Sequence, residues 1–237
     1  MAQGDISSAL QTCSLFSQAF VSRDVPHSIS HEVFLQAAAR LLFHHASIGP
    51  LRPALIREHL TRFLNLFPQN TTFLSLYTWN ESRLRIDNRV RNILRSTILT
   101  TGSDTLTSRL FAIQYEIRHG TIHSTRSVFE HALSSSSSKC SAGLWKFYII
   151  YCLETPQFRT QAKDVWYRAI RACPWAKELY LMGFETLSDM LPFSELKSIW
   201  RVMGEKDLRV HVDLEERFED YAELENTARE QRRLEHR

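Results

Sequence analysis

Five arginines, Arg83, Arg85, Arg89, Arg91 and Arg95, fall within thirteen residues of the 237-residue chain. A guanidinium group is planar, permanently charged and able to clamp phosphate oxygens in pairs or to stack on a base. With Tyr77 and Trp79 just upstream, the run is a candidate contact for single-stranded RNA. The competing reading is a solvated face paired with Glu81, Asp87 or acids of neighbouring elements, and the same arginines are then candidate contacts for a protein partner. Either reading is a binding chemistry.

Other constellations point to no reaction. Glu116, His119 and His123 have a spacing that can bring two imidazoles and a carboxylate to one helix face, as zinc sites do, but Gly120 lies between the histidines and a solvated helix end is expected there. No Ser, Cys or Asp stands beside a histidine in a nucleophile motif. The seven glycines are scattered and form no phosphate-cradling loop. Cys13, Cys140, Cys152 and Cys173 include no Cys-x-x-Cys pair, so a reducing compartment is expected, with Cys152 and Cys173 buried as small apolar thiols within helical patterns. Catalytic residues, cofactors and metals are expected to be absent. The formal charge of +3, from 29 bases against 26 acids, makes any electrostatic case a local one. No apolar run approaches the ~18 residues of a membrane span, and no base precedes Arg23, unlike a secretory or transit leader.

The elements that position these residues repeat. Arg126-Ser-Val-Phe-Glu-His-Ala-Leu133 and Lys163-Asp-Val-Trp-Tyr-Arg-Ala-Ile170 share a base, an apolar residue, an aromatic, a polar residue, a base, Ala and an aliphatic in register. Taking the apolar residue before the aromatic as anchor, Val128, Val165 and Ile199 recur, and Val90 and the neighbourhood of His59 continue the series backward at about 35 residues per unit, the period of antiparallel helix pairs. Phe67-Pro68 and Cys173-Pro174 mark helix ends 106 residues apart, three such units. Between anchors lie aromatic-rich helical patterns: Phe73, Leu74, Tyr77; Leu110, Phe111, Tyr115; Leu144, Trp145, Tyr148, Tyr151; Leu179, Tyr180, Phe184. The expected repeat core is Phe129, Trp145, Tyr148, Trp166, Tyr180, Phe184 and Trp200. Thr155-Pro156 is expected to start a helix, Gly120 and Gly204 to end helices, and the run from Ser134 to Ser138 to form a flexible loop. Ile6, Leu10, Cys13, Phe16 and Phe20 make one early helical face, and Phe34, Ala38, Leu41 and His45 another. Asp213 onward reads as a final helix, with Leu214, Phe218, Tyr221 and Leu224 on one face.

First helices that are bulky and aromatic, followed by second helices carrying base, aromatic, Glu or Tyr, base and Ala, resemble the half-a-tetratricopeptide (HAT) repeat. The stretch Arg171-Ala-Cys-Pro-Trp-Ala-Lys-Glu-Leu-Tyr-Leu-Met-Gly-Phe-Glu185, then Val202-Met-Gly-Glu-Lys-Asp-Leu-Arg-Val-His-Val-Asp-Leu-Glu-Glu216, is similar to the C-terminal end of the nuclear "necessary for RNA interference" proteins. That resemblance implies a nuclear place in RNA surveillance and RNA-mediated silencing, alongside splicing factors and the nuclear exosome's RNA helicase. Members of that family are much longer, with a helicase-binding part in an N-terminal region this chain lacks. Met1 is therefore expected to begin a truncated product, a fragment or an incomplete gene model, and helicase binding is carried over to no residue.

The expected architecture is all-α: a right-handed superhelix of five to six antiparallel helix pairs. N-terminal helices occupy residues 1–50 as a degenerate repeat or cap, HAT-like repeats 51–207, and an extended segment with a capping helix 208–237. The expected function is a non-enzymatic scaffold for protein-protein interaction in nuclear RNA processing, with no membrane partner. Two rivals are direct RNA recognition through Arg83 to Arg95, and a tetratricopeptide-like peptide receptor if a groove lined by the first helices presents Lys, Arg and Asn.

Overall fold

The computed structural model describes residues 28–48, 52–99 and 105–208, together with residues 8, 11–15 and 18. Among them every regular element is helical. In chain order these are α1 (Ile29–Ile48), α2 (Pro53–Leu66), α3 (Thr71–Arg83), α4 (Asp87–Ile93, continued as a π-helical turn Leu94–Ile98), α5 (Leu106–His119), α6 (Ile122–Ser134), α7 (Ser136–Lys139), α8 (Ala142–Glu154), α9 (Ala162–Ala172), α10 (Lys177–Thr186) and α11 (Phe193–Glu205). Short 3-10 turns at Arg159–Gln161 and Ser188–Met190 join α8 to α9 and α10 to α11. The chain divides into two compact units, 1–137 and 138–237, the division falling in the serine run.

Within the first unit α2 packs on α3, α3 on α4, and α5 on α6, while α1 and α5 both contact α3. Within the second, α8 packs on α9, α9 on α10, and α10 on α11, while α8 also contacts α10. Connections this short bring each helix back antiparallel to the one before. The sequence anchors Val90, Val128, Val165 and Ile199 lie on the second helices α4, α6, α9 and α11, and all four are buried. The two Pro-marked helix ends also match. Phe67 (φ −130, ψ 72) caps α2 and Cys173 (φ −125, ψ 66) caps α9, because the ring of the next proline keeps its predecessor out of the α region.

The second unit shows how tightly one pair closes on the next. Trp166 of α9 is fully buried and donates its indole N–H to the Leu179 carbonyl at 2.6 Å. Its six-membered ring lies over Gly183 of α10, where an added Cβ would stand 2.3 Å from Cζ2. Trp145 donates Nε1 to the Lys139 carbonyl at 2.8 Å, and the Arg168 guanidinium lies 5.4 Å from its ring centroid. Phe129, Trp145, Tyr148, Trp166 and Tyr180 are buried, whereas Phe184 and Trp200 are half-buried. Trp200 lines a surface cavity of about 1290 Å³ on α11, with Lys197, Arg201 and Met203.

Several local expectations shift. Thr155 caps the C-terminus of α8, and the next helix starts at Ala162 behind Gln161, since residues 156–161 are taken by turns. Gly120 ends α5, but Gly204 lies inside the last turn of α11, where Asp207 (φ 54) takes the left-handed position. Ser136 to Lys139 form a helical turn in which Ser138 is buried. On α1 the buried face is His31, Leu35, Ala38, Ala39, Leu42 and Ala46, with Leu41 exposed. Ile6, Leu10, Phe16 and Phe20, and the final helix from Asp213, lie outside the described residues.

Candidate interaction surface

Asn70 starts α3, its side-chain oxygen accepting from the Thr72 and Phe73 amides at 2.9 and 3.1 Å while its amide nitrogen donates to Glu32 of α1 at 2.6 Å. The helix ends in a Schellman turn: the Arg85 amide donates to the Ser82 carbonyl and the Ile86 amide to that of Glu81, both at 3.1 Å. Arg85 occupies the left-handed position at φ 56. That turn aims the arginine run in several directions.

Arg83 stacks its guanidinium 4.7 Å from the Trp79 ring centroid. Arg85 and Arg95 are exposed. Arg89 and Arg91 turn toward buried carboxylates instead. Glu81, fully buried, accepts from Arg57 Nε of α2 at 2.7 Å, from Asn80 Nδ2 at 2.9 Å and from Arg89 of α4 at 3.3 Å. Glu116 follows by 35 residues, on α5. It faces Arg91 Nε at 3.3 Å and accepts from Ser124 of α6 at 3.2 Å, and Arg91 also donates to the His119 carbonyl. Each of these glutamates thus joins the helix before its own to the helix after. Gly120 leaves room for the second, because an added Cβ would stand 2.0 Å from Glu116 Oε2. The corresponding places in the second unit are Cys152 and Leu187, both buried and apolar, so the ionic seam belongs to the first unit.

His119 and Glu116 diverge rather than converge. The His119 ring stacks on Tyr115 at 4.7 Å, and its Nδ1 stands 3.9 Å from Asp87, which also accepts the Tyr115 hydroxyl at 3.0 Å. Burial, reinforced by that bond to a carboxylate, pushes the Tyr115 hydroxyl far above the usual tyrosine value. No group of three His, Cys, Asp or Glu arranged to hold a metal occurs among the described residues.

The facing sides of α3 and α5 are marked by the sequence only in part, through Trp79 as a base-stacking candidate and Phe111 and Tyr115 as members of an aromatic helical pattern. Ser75, Thr78, Trp79 and Ser82 of α3 and Phe111, Gln114, Tyr115, Arg118 and His119 of α5 line a groove of about 370 Å³. The signal was available: on each helix these positions recur at spacings of three and four, opposite the core set Phe73, Tyr77, Asn80 and Glu81 or Ala112, Ile113 and Glu116.

No family model matches the chain. Curated proteins do. The chain is 30% identical over 212 residues to the nuclear exosome regulator NRDE2 of Mus musculus and equally to that of Homo sapiens, and 28% identical over 196 residues to that of Dictyostelium discoideum. This chain is a distant homologue of the NRDE2 family. The alignment takes in 80% of the chain but 17% of the mouse and human proteins, so the chain spans about a sixth of the length of the NRDE2 relatives it matches.

Proposed function

We propose that the chain is a non-enzymatic helical scaffold for protein-protein interaction in nuclear RNA regulation, its partners drawn from exosome-linked, splicing and RNA-silencing factors. The observation that carries this reading is the match of 80% of the chain to proteins named nuclear exosome regulators. The construction supports it. Helix pairs that bury anchors 34 to 38 residues apart leave first-helix faces for partners, and the pairs are proposed to wind in the right-handed sense usual for such repeats. The nucleus is the proposed compartment. The proposed layout keeps N-terminal helices to residue 50, repeats over 51–207 and a capping segment over 208–237.

RNA recognition through Arg83, Arg85, Arg89, Arg91 and Arg95 is the second reading. It is weakened by the engagement of Arg89 with Glu81 and of Arg91 with Glu116, which leaves fewer guanidinium groups for phosphate.

Affinity purification of the tagged chain beside a full-length NRDE2 relative, with partners identified by mass spectrometry, tests the scaffold reading. Exosome-linked or splicing proteins shared by both baits are expected. Recovery of translation or membrane proteins in their place would contradict it.

A further inference from the structure

The groove between α3 and α5 is built from chemistry that selects a ligand. Its floor is aromatic: Trp79, braced from behind by Phe43 of α1 at 4.6 Å between ring centroids, and Phe111. Trp79 and Phe111 are both half-buried, so each still offers part of its ring. Around this floor stand Ser75, Thr78, Ser82 and the exposed Gln114 amide. The charged side chains that line the groove are of one sign, with the Asp87 carboxylate at its edge 3.9 Å from His119. Arg118 lines it, is exposed and makes no ion pair among the described residues, and Arg83 lies across the Trp79 ring. His119 closes one end. None of the nine lining residues is a carboxylate; Asp87, nearby, already accepts the Tyr115 hydroxyl, and Glu116 faces Arg91 on the opposite side of α5.

We propose that this groove docks an extended acidic segment of a partner protein, with one aromatic or aliphatic side chain on Trp79 and Phe111 and a neighbouring Asp or Glu carboxylate against Arg118. The inference rests on the scaffold reading and gives it a surface and a partner chemistry. A cavity of about 370 Å³ has room for one or two side chains rather than a folded domain, which is why the occupant is an extended segment. A protein segment fits better than RNA. The cations at the groove do not form a track along which successive phosphates can lie, as a single-strand channel does, whereas one carboxylate beside one apolar side chain matches what is present. Gln114 and the serine hydroxyls then meet the peptide backbone, whose polar groups need partners once water is displaced.

Panning a random short-peptide library against the full chain tests this. Selected sequences are expected to carry Asp or Glu within a few residues of Phe, Trp or Leu, and to bind Arg118→Glu at least about tenfold more weakly, the effect of removing roughly 1.4 kcal/mol. Arg159→Glu, on an exposed arginine of the second unit outside the groove lining, should bind them as the parent does. Both sites are exposed, so circular dichroism should be unchanged. Basic selected sequences, no enrichment over the Arg118→Glu chain, or equal loss in both variants would overturn the proposal. So would displacement of the selected peptides by oligouridylate at lower concentration than by the unlabelled peptide, since that would assign the groove to nucleic acid. If the groove fails while the tagged chain still captures nuclear RNA-processing proteins, only the groove falls; loss of those partners with peptide binding intact would count against the scaffold reading instead.

Discussion

A methyl group on Gly183 would meet the Trp166 ring at 2.3 Å, and the ring cannot retreat because its N–H is tied to the Leu179 carbonyl. Gly183→Ala should therefore destabilise the second unit by about 1–3 kcal/mol through overpacking, and Trp166→Ala by about 3–5 kcal/mol through the cavity it leaves. The double change Trp166→Phe with Gly183→Ala should cost less than the sum of its parts, because the smaller ring makes room for the methyl. Thermal denaturation of the set decides this; strict additivity would mean that the two residues do not share the space. In the first unit, Glu81→Gln keeps the shape but leaves Arg57 and Arg89 without their counter-charge. Both arginines are partly exposed, which tempers the loss to about 1–3 kcal/mol. Glu58→Gln, in an exposed pair with Arg62, should change the unfolding free energy obtained from urea titration by less than about 0.5 kcal/mol. Equal effects of the two would contradict the seam's role.

At the scale of the helix, what the sequence made legible was the spacing of large side chains. Val90, Val128, Val165 and Ile199 sit at buried equivalent places, because a period of two helices is imposed on every unit alike and leaves its mark on residue type. Ends were less legible where chemistry was shared between competing structures. Thr155-Pro156 carries the residues of a helix start yet closes α8, since a Thr-Pro pair suits a turn equally well. Pairing of the arginines with Glu81 was legible as a solvated face, but the burial of Glu81 and Glu116 was not. A buried glutamate looks like any surface acid until Arg57 and Arg91 are brought to it from helices that are neighbours in space. The left-handed turn at Arg85 was likewise unmarked by glycine. Arg85→Gly should raise stability by up to about 1 kcal/mol, because glycine has no Cβ to clash in that conformation, and Arg85→Val should lower the melting temperature. A lower melting temperature for the glycine variant would contradict the Schellman turn.

For the molecule as a whole, near balance of charge and the withdrawal of Arg89 and Arg91 into ion pairs favour partners that are proteins. Reversing Arg89 or Arg91 would place a second carboxylate beside a buried one, so loss of binding in such variants would report damaged packing as readily as a lost contact. Arg83, Arg85 and Arg95 are exposed and unpaired with carboxylates among the described residues, and the triple change of these to Glu separates the two effects. The decisive measurement is fluorescence anisotropy of a labelled single-stranded RNA against the chain and this triple variant across a salt series, with helical content followed by circular dichroism. On the scaffold account the chain binds RNA no more tightly than about micromolar at physiological salt, in the range of non-specific contacts, and shows no preference among sequences. Binding tighter than that, weakening by a slope of roughly 0.7 for each phosphate neutralised and abolished in the triple variant at unchanged helical content, would contradict the account and make the arginine run an RNA-recognition site.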